Sequence, residues 1–165
     1  MILVDAGPLV ALLSAEDQHR RRCVEVMDTL RATLATVWPA VTEAMYLLRA
    51  RSSAQDALLR QVERGSLRLL ALDEHDAPRM RELMVKYRDL PMDLADAVLV
   101  RVAERERLRT IFTIDRRDEG VAVCETGHRG TVLRGLGSWG TGLLRAGSGG
   151  AGLLRWSAFG RPASQ

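Results

Sequence analysis

Four short apolar runs, ILVD, ATLATVW, SLRLLAL and TIFTID, are separated by longer stretches with helical spacing, and the first and last of them end in an aspartate. Runs this short suit buried strands rather than helices, and the segments between them are long enough for helical crossovers. Strands that alternate with helices predict an α/β fold, a three-layer α/β/α sandwich around a central, mostly parallel sheet. Ligands in such sheets bind beyond the carboxyl ends of the strands, which is where Asp5 and Asp115 fall.

Local signals fill in the elements. Gly7 and Pro8 lead into a first helix through Leu13, and a second helix is expected from Ser14 or Ala15, turning Cys23, Val24 and Met27 inward. The run ATLATVW reads as a buried strand that takes in Trp38, and Pro39 then suits the first turn of a helix running from Ala40 to Arg51. A helix from Ala54 to Glu63 stops at Gly65, one from Asp76 to Tyr87 turns Met80, Leu83 and Met84 inward, and Leu90-Pro91 closes that segment. The helix from Met92 to Arg105 takes Asp93 as its cap.

A chain of 165 residues supports one globular domain, expected over 1–119 with an allowance to about 136. Residues 120–165 hold 12 of the 14 glycines, five arginines and a single acid, and read as a largely disordered Gly/Arg-rich tail. The net charge of +3 comes from that tail, so bulk charge does not identify a partner. No apolar stretch is long enough to span a membrane, and MILVDAGPLVALLSAED meets an acid at once with no basic segment before it, so no membrane association and a cytoplasmic location are expected. Cys23 and Cys124 stand in no metal or redox spacing and are expected to be reduced.

Four acids recur where this fold gathers side chains: Asp5 after the first strand, Glu43 near a helix start, Asp96 one turn into a helix, and Asp115 after the fourth strand. Asp93 lies three residues before Asp96, on the same helical face. Asp93, Asp115 and Glu43 each have a plain structural explanation, as a cap, a turn residue and a dipole partner, whereas Asp5 is harder to dismiss, because a carboxylate capping the buried run of Ile2, Leu3 and Val4 is costly unless paired. Together they would repel and protonate unless a cation compensated, and carboxylates without Cys or His select Mg²⁺ or Mn²⁺. An ion in such a cage activates water and shields a phosphodiester, so hydrolysis of a nucleic-acid backbone is the expected chemistry.

The segments ILVDAGPLVALL, WPAVTEAMYLL, LPMDLADAVLVRVAE and TIFTIDRRD, in this order and at these separations, resemble the PIN-domain family, and in particular its VapC-type toxins, over residues 1–119. The resemblance implies a metal site of Asp5, Glu43, Asp96 and Asp115. It also implies cleavage of structured RNA such as tRNA or rRNA, a homodimer, and inhibition by a small cognate antitoxin. On that footing Asp5, Asp96 and Asp115 are expected as principal ligands, with Glu43 a further ligand or the group that orients water. Asp93, Thr113 and Asp118 are supporting candidates, and Arg116 and Arg117 are candidates for RNA phosphates, against the plain alternative of a solvated pair.

The sequence departs from the family after RRD, where Glu119, Gly120 and the tail stand in place of an aromatic residue and a short final strand. Two readings fit: a basic tail that adds RNA affinity, or chance sequence from a shifted reading frame, which the lack of aromatic or charge periodicity favours. Loss of the strand would leave a sheet edge uncovered. A Mg²⁺-dependent phosphatase or phosphoacceptor is disfavoured, because no second acid follows Asp5 by two residues and no lysine lies near the last strand. The remaining alternative is a PIN-like fold that binds RNA or antitoxin without turnover.

Overall fold

The structure is a computed structural model that describes residues 1–89, 92–115 and 120–125, with backbone alone for 115 and 120–125. Its order is β1 (Ile2–Val4), α1 (Ala6–Leu13), α2 (Arg20–Thr29), β2 (Leu34–Thr36), α3 (Trp38–Leu47), α4 (Ser52–Glu63), β3 (Leu67–Leu69), a 3-10 turn (Glu74–Asp76), α5 (Ala77–Lys86), α6 (Leu94–Arg105), β4 (Thr110–Asp115) and β5 (Gly120–Glu125). The strands form one sheet in the order β3-β2-β1-β4-β5, with the first four parallel and flanked by helices.

The expected α/β sandwich is therefore present, with one strand more than the four apolar runs announce. β5 pairs antiparallel with β4 from Thr110↔Glu125 to Asp115↔Gly120, so the sheet extends past residue 119 and the edge of β4 is covered. The final strand expected to be missing is thus present: Val121 and Val123 alternate with small residues, a pattern too short to stand out beside a Gly-rich tail. The expected disorder of the rest of the tail lies outside the described residues, as do Arg116, Arg117 and Asp118.

The core closes around the sheet, with Leu3, Val4, Ala35, Val98, Val102 and Phe112 buried in one apolar cluster. Three inward assignments are corrected. Residues 14–19 form turns, in which Asp17 accepts from the His19 amide, so α2 starts at Arg20 and buries Cys23 and Val26 while Val24 faces out. In α5 Leu83 is buried but Met84 is exposed. Trp38 is the first residue of α3 rather than a strand residue, and it is 55% exposed, because Pro39 at the second position starts the helix one residue earlier than the apolar run ends. Burial, and then the charge of Asp17, pushes the Cys23 thiol up to about 12, so it stays a thiol.

Two backbone positions tighten the fold. A methyl group added at Gly7 would sit 3.3 Å from the Ile114 Cβ, so the glycine lets the start of α1 lie directly on β4. Arg107 ends α6 in the left-handed region, with φ 54°, while the Leu108 amide donates to the Ala103 carbonyl at 2.9 Å. That is the arrangement glycine normally fills. Arg107→Gly is expected to stabilise the protein by about 0.5–1 kcal/mol, raising Tm by roughly 2–4 °C in a thermal melt. A lowered Tm would mean that the exposed arginine makes a contact outweighing its backbone strain.

Candidate active site

The carboxyl edge of the sheet is where the helix starts converge. β1 ends at Val4, and Asp5 is at once the first residue beyond the strand and the N-cap of α1. Its Oδ1 accepts the Ala6 amide at 2.7 Å, and its Oδ2 accepts the Thr113 hydroxyl at 2.7 Å. The backbone is fixed as well, since the Asp5 amide donates to the Phe112 carbonyl at 3.0 Å. Continuing the β1–β4 register from Val4↔Phe112 sets Asp5 level with Thr113, whose hydroxyl is buried. Both carboxylate oxygens are thereby oriented, which fixes the direction of their remaining lone pairs.

Thr36 plays the matching part on the other side of β1. Its buried hydroxyl donates to the Val4 carbonyl at 2.8 Å, which locks the ends of β1 and β2 together. Nothing in the sequence singles out this residue, because a threonine near a strand end is ordinary. Two residues later α3 begins, and it packs against both α1 and α6. Half-buried Glu43 lies in its second turn.

The start of α6 completes the group. Asp93 caps the helix in a reciprocal box: its Oδ1 accepts the Asp96 amide at 2.9 Å, and the Asp96 Oδ2 accepts the Asp93 amide at 3.2 Å. Asp96 is half-buried, and burial together with the negative charges of Asp93 and Asp5 pushes its carboxyl up to about 7. The Asp93 hydrogen bond opposes this rise and the charge of Glu43 adds to it. Asp5, Glu43 and Asp93 therefore all act on Asp96, so acids from three separate segments share one region. A crowded carboxylate resists ionisation in this way.

Asp115 is the last residue of β4, two positions beyond Thr113, and its side chain lies outside the described residues. Among the described residues no group of three acids is closed tightly enough to hold an ion on its own. What stands there is a set of hard oxygen donors, with neither histidine nor cysteine, in which one member is held near its point of ionisation. Those donors fit a Mg²⁺ or Mn²⁺ ion chemically.

Comparison with known proteins agrees with this geometry. The PIN domain family profile matches residues 2–122. Ribonuclease VapC26 of Mycobacterium tuberculosis is 29% identical over 134 residues, covering 80% of this chain and 99% of that protein. Among solved structures, VapC20 of Mycobacterium tuberculosis, a sarcin-ricin loop cleaving toxin, superposes with a TM-score of 0.63 at 17% identity, covering 67% of this chain and 87% of that one. A toxin–antitoxin complex from Klebsiella pneumoniae gives 0.55 at 18% identity, over 69% and 86% of the two chains. Sheet order, the acid-bearing strand end and the profile match agree: the chain belongs to the PIN-domain family.

Proposed function

We propose that the chain is a divalent-metal-dependent endoribonuclease acting as the toxin of a toxin–antitoxin pair. The observation that carries this reading is the gathering of Asp5, Glu43 and Asp93 around Asp96 at the carboxyl edge of a PIN sheet, where burial and their charges oppose its ionisation. A repelling cluster of this kind is costly unless a cation relieves it. Asp5, Asp96 and Asp115 would hold Mg²⁺ or Mn²⁺, with Glu43 a further ligand or the group that orients the attacking water. A bound ion supplies Lewis acidity, which makes water nucleophilic and neutralises charge on the phosphodiester.

The remaining work falls to the protein's own groups. Thr113 holds Asp5 in one orientation, and Asp93 does the same for Asp96 through the capping box. Arg116 and Arg117 are proposed to meet RNA phosphates, and Asp118 to support the site. The ribonuclease, the sarcin-ricin loop cleaving toxin and the toxin–antitoxin complex among its relatives support an RNA substrate and a cognate antitoxin as partner. A tRNA or rRNA substrate, a homodimer and a cytoplasmic location complete the proposal. Among the described residues no helix is long and apolar enough to cross a membrane. A groove of about 470 Å³ lined by Met80, Met84, Val85 and Leu94 is an apolar surface suited to a protein partner.

The test is incubation of purified protein with total tRNA and rRNA in Mg²⁺ or Mn²⁺, with and without EDTA. Metal-dependent cleavage supports the reading. Binding of RNA or antitoxin with no turnover under any of these conditions replaces it with a non-catalytic PIN fold. A finer expectation concerns Thr113→Val, which keeps the buried shape but removes the donor to Asp5. Loss of a supporting hydrogen bond to a metal-binding carboxylate lowers metal affinity or rate by roughly 10- to 100-fold. Titration of the metal dependence of cleavage measures this, and wild-type behaviour would show that Asp5 needs no such support.

A further inference from the structure

Four aromatic residues lie among the described residues, and they divide sharply. Tyr87 and Phe112 are buried, whereas Trp38 is 55% and Tyr46 64% exposed. Both exposed rings belong to α3, eight residues apart, with exposed Thr42 between them, a spacing that sets these three on one helical face, and exposed Arg49 follows in the turn just past the helix end. The opposite face, through Ala40, Val41, Ala44 and Leu48, is the buried one. The Arg49 guanidinium lies over the Tyr46 ring, 4.5 Å from its centre. At the other end the Thr42 hydroxyl donates to the Trp38 carbonyl at 2.9 Å and secures the first turn.

This stripe starts at the candidate site. Trp38 is two residues beyond Thr36, whose hydroxyl holds the carbonyl of Val4, the residue before Asp5. Aromatic faces with an interleaved guanidinium suit bases and phosphates, since every base offers a face to stack on. Aliphatic and methionine side chains, as in the groove along α5, suit a protein partner instead; the exposed aliphatic of α3, Leu47, lies off the line of Trp38, Thr42 and Tyr46. Over eight helical residues the two ring-bearing positions are separated by about 12 Å along the helix axis.

We infer that the outward face of α3 is the track that holds single-stranded RNA beside the acidic site, with an unpaired base stacked on Trp38 and the following phosphates near Arg49. The inference rests on the ribonuclease reading for its substrate but concerns binding, which can be measured without turnover.

The experiment uses the full chain in EDTA with a labelled, unstructured oligoribonucleotide of about eight residues, and reads affinity by fluorescence anisotropy across a salt series. Trp38→Ala weakens binding on the order of 10- to 100-fold, whereas Trp38→Phe keeps most of it. Arg49→Gln lowers the slope of log affinity against log salt by about 0.7, the loss of one phosphate contact on a single strand. With metal added, the loss in Trp38→Ala falls on KM more than on kcat. Unchanged affinity in Trp38→Ala overturns the inference, and so does a change in oligomeric state by light scattering, which would make this face a protein interface. A wild type that binds no oligonucleotide also overturns it. A wild type that binds RNA without ever cleaving it, and a Trp38→Ala variant that loses this binding, keep the track and remove only the nuclease reading.

Discussion

Asp96→Asn is expected to abolish RNA hydrolysis and, in the same metal-free protein, to raise its melting temperature. The two effects have one cause. In the fold the Asp96 carboxyl ionises near 7, against 3.8 for an unperturbed aspartate, because burial and the charges of Asp93 and Asp5 oppose its ionisation. Between pH 4 and 7 the unfolded chain has released this proton while the folded chain keeps it, so stability falls as pH rises through that window. Above it the full difference amounts to about 4 kcal/mol, of which about half survives solvent screening of a partly open side chain.

Asparagine carries no charge at any of these pH values and still offers an oxygen to the Asp93 amide. At pH 8 the variant should therefore melt roughly 5–10 °C above wild type, and at pH 4 the two should coincide. Mg²⁺ or Mn²⁺ relieves the same repulsion, so it should raise the wild-type Tm at pH 8 and act much less on the variant. Hydrolysis should drop by on the order of a thousandfold or more, since several kcal/mol of charge stabilisation are removed. Thermal melts with and without metal, beside RNA cleavage, check all of this. A variant that is less stable at pH 8, or that cleaves at the wild-type rate, would show that the acids do not act as one charged group.

The second large effect lies far from that edge. Asp76, 1% exposed, is bonded by the Arg101 Nε at 2.7 Å and by Arg105, which also donates to the Ala71 carbonyl at 2.7 Å. Burial alone would push this carboxyl up, but the Arg101 hydrogen bond, the Asp73 amide and the two guanidinium charges outweigh it and hold it below the usual aspartate range. The cluster ties the start of α5 to the far end of α6. Asp76→Asn leaves two guanidinium groups around a neutral amide, and breaking a buried pair from one side costs about 3–5 kcal/mol. A fall in Tm of roughly 10–15 °C is expected.

A triple variant, Asp76→Leu with Arg101→Met and Arg105→Met, should recover most of that loss, because it removes the charges together. A melt of the single variant within about 2 °C of wild type would refute a structural role for the cluster. The sign of its pH dependence is opposite to that of Asp96. A depressed carboxyl stabilises the fold above its unfolded value and loses that contribution as pH falls. The metal-free protein should thus be most stable near pH 4–5, squeezed by Asp76 protonation below and by Asp96 ionisation above.

Features set by local chemistry could be read in the sequence, and those set by distant partners could not. ILV before Asp5 and the six residues TIFTID give their strands directly, and the Asp93 cap follows from a carboxylate just ahead of an apolar helix. Asp5, Glu43 and Asp96 were legible as acids at element ends, and the structure draws them into one field. Thr113 stands out by its position two before Asp115, and its hydroxyl reaches Asp5. Trp38 misled because a bulky apolar residue after a strand-like run looks like its continuation, whereas the following proline had already started a helix. The partners of Asp76, 25 and 29 residues away, leave no local trace in the sequence.

The Thr113–Asp5 bond spans 108 residues. A ribosome adding about 5–20 residues each second needs roughly 5–20 s to make the hydroxyl that orients the first acid. During that wait β1 can pair with β2 but has no neighbour on its other side, and the acids of α6 and β4 do not yet exist. The nascent chain therefore lacks the complete acid set until its fourth strand emerges, so under the proposed function an interrupted translation product would not cleave RNA.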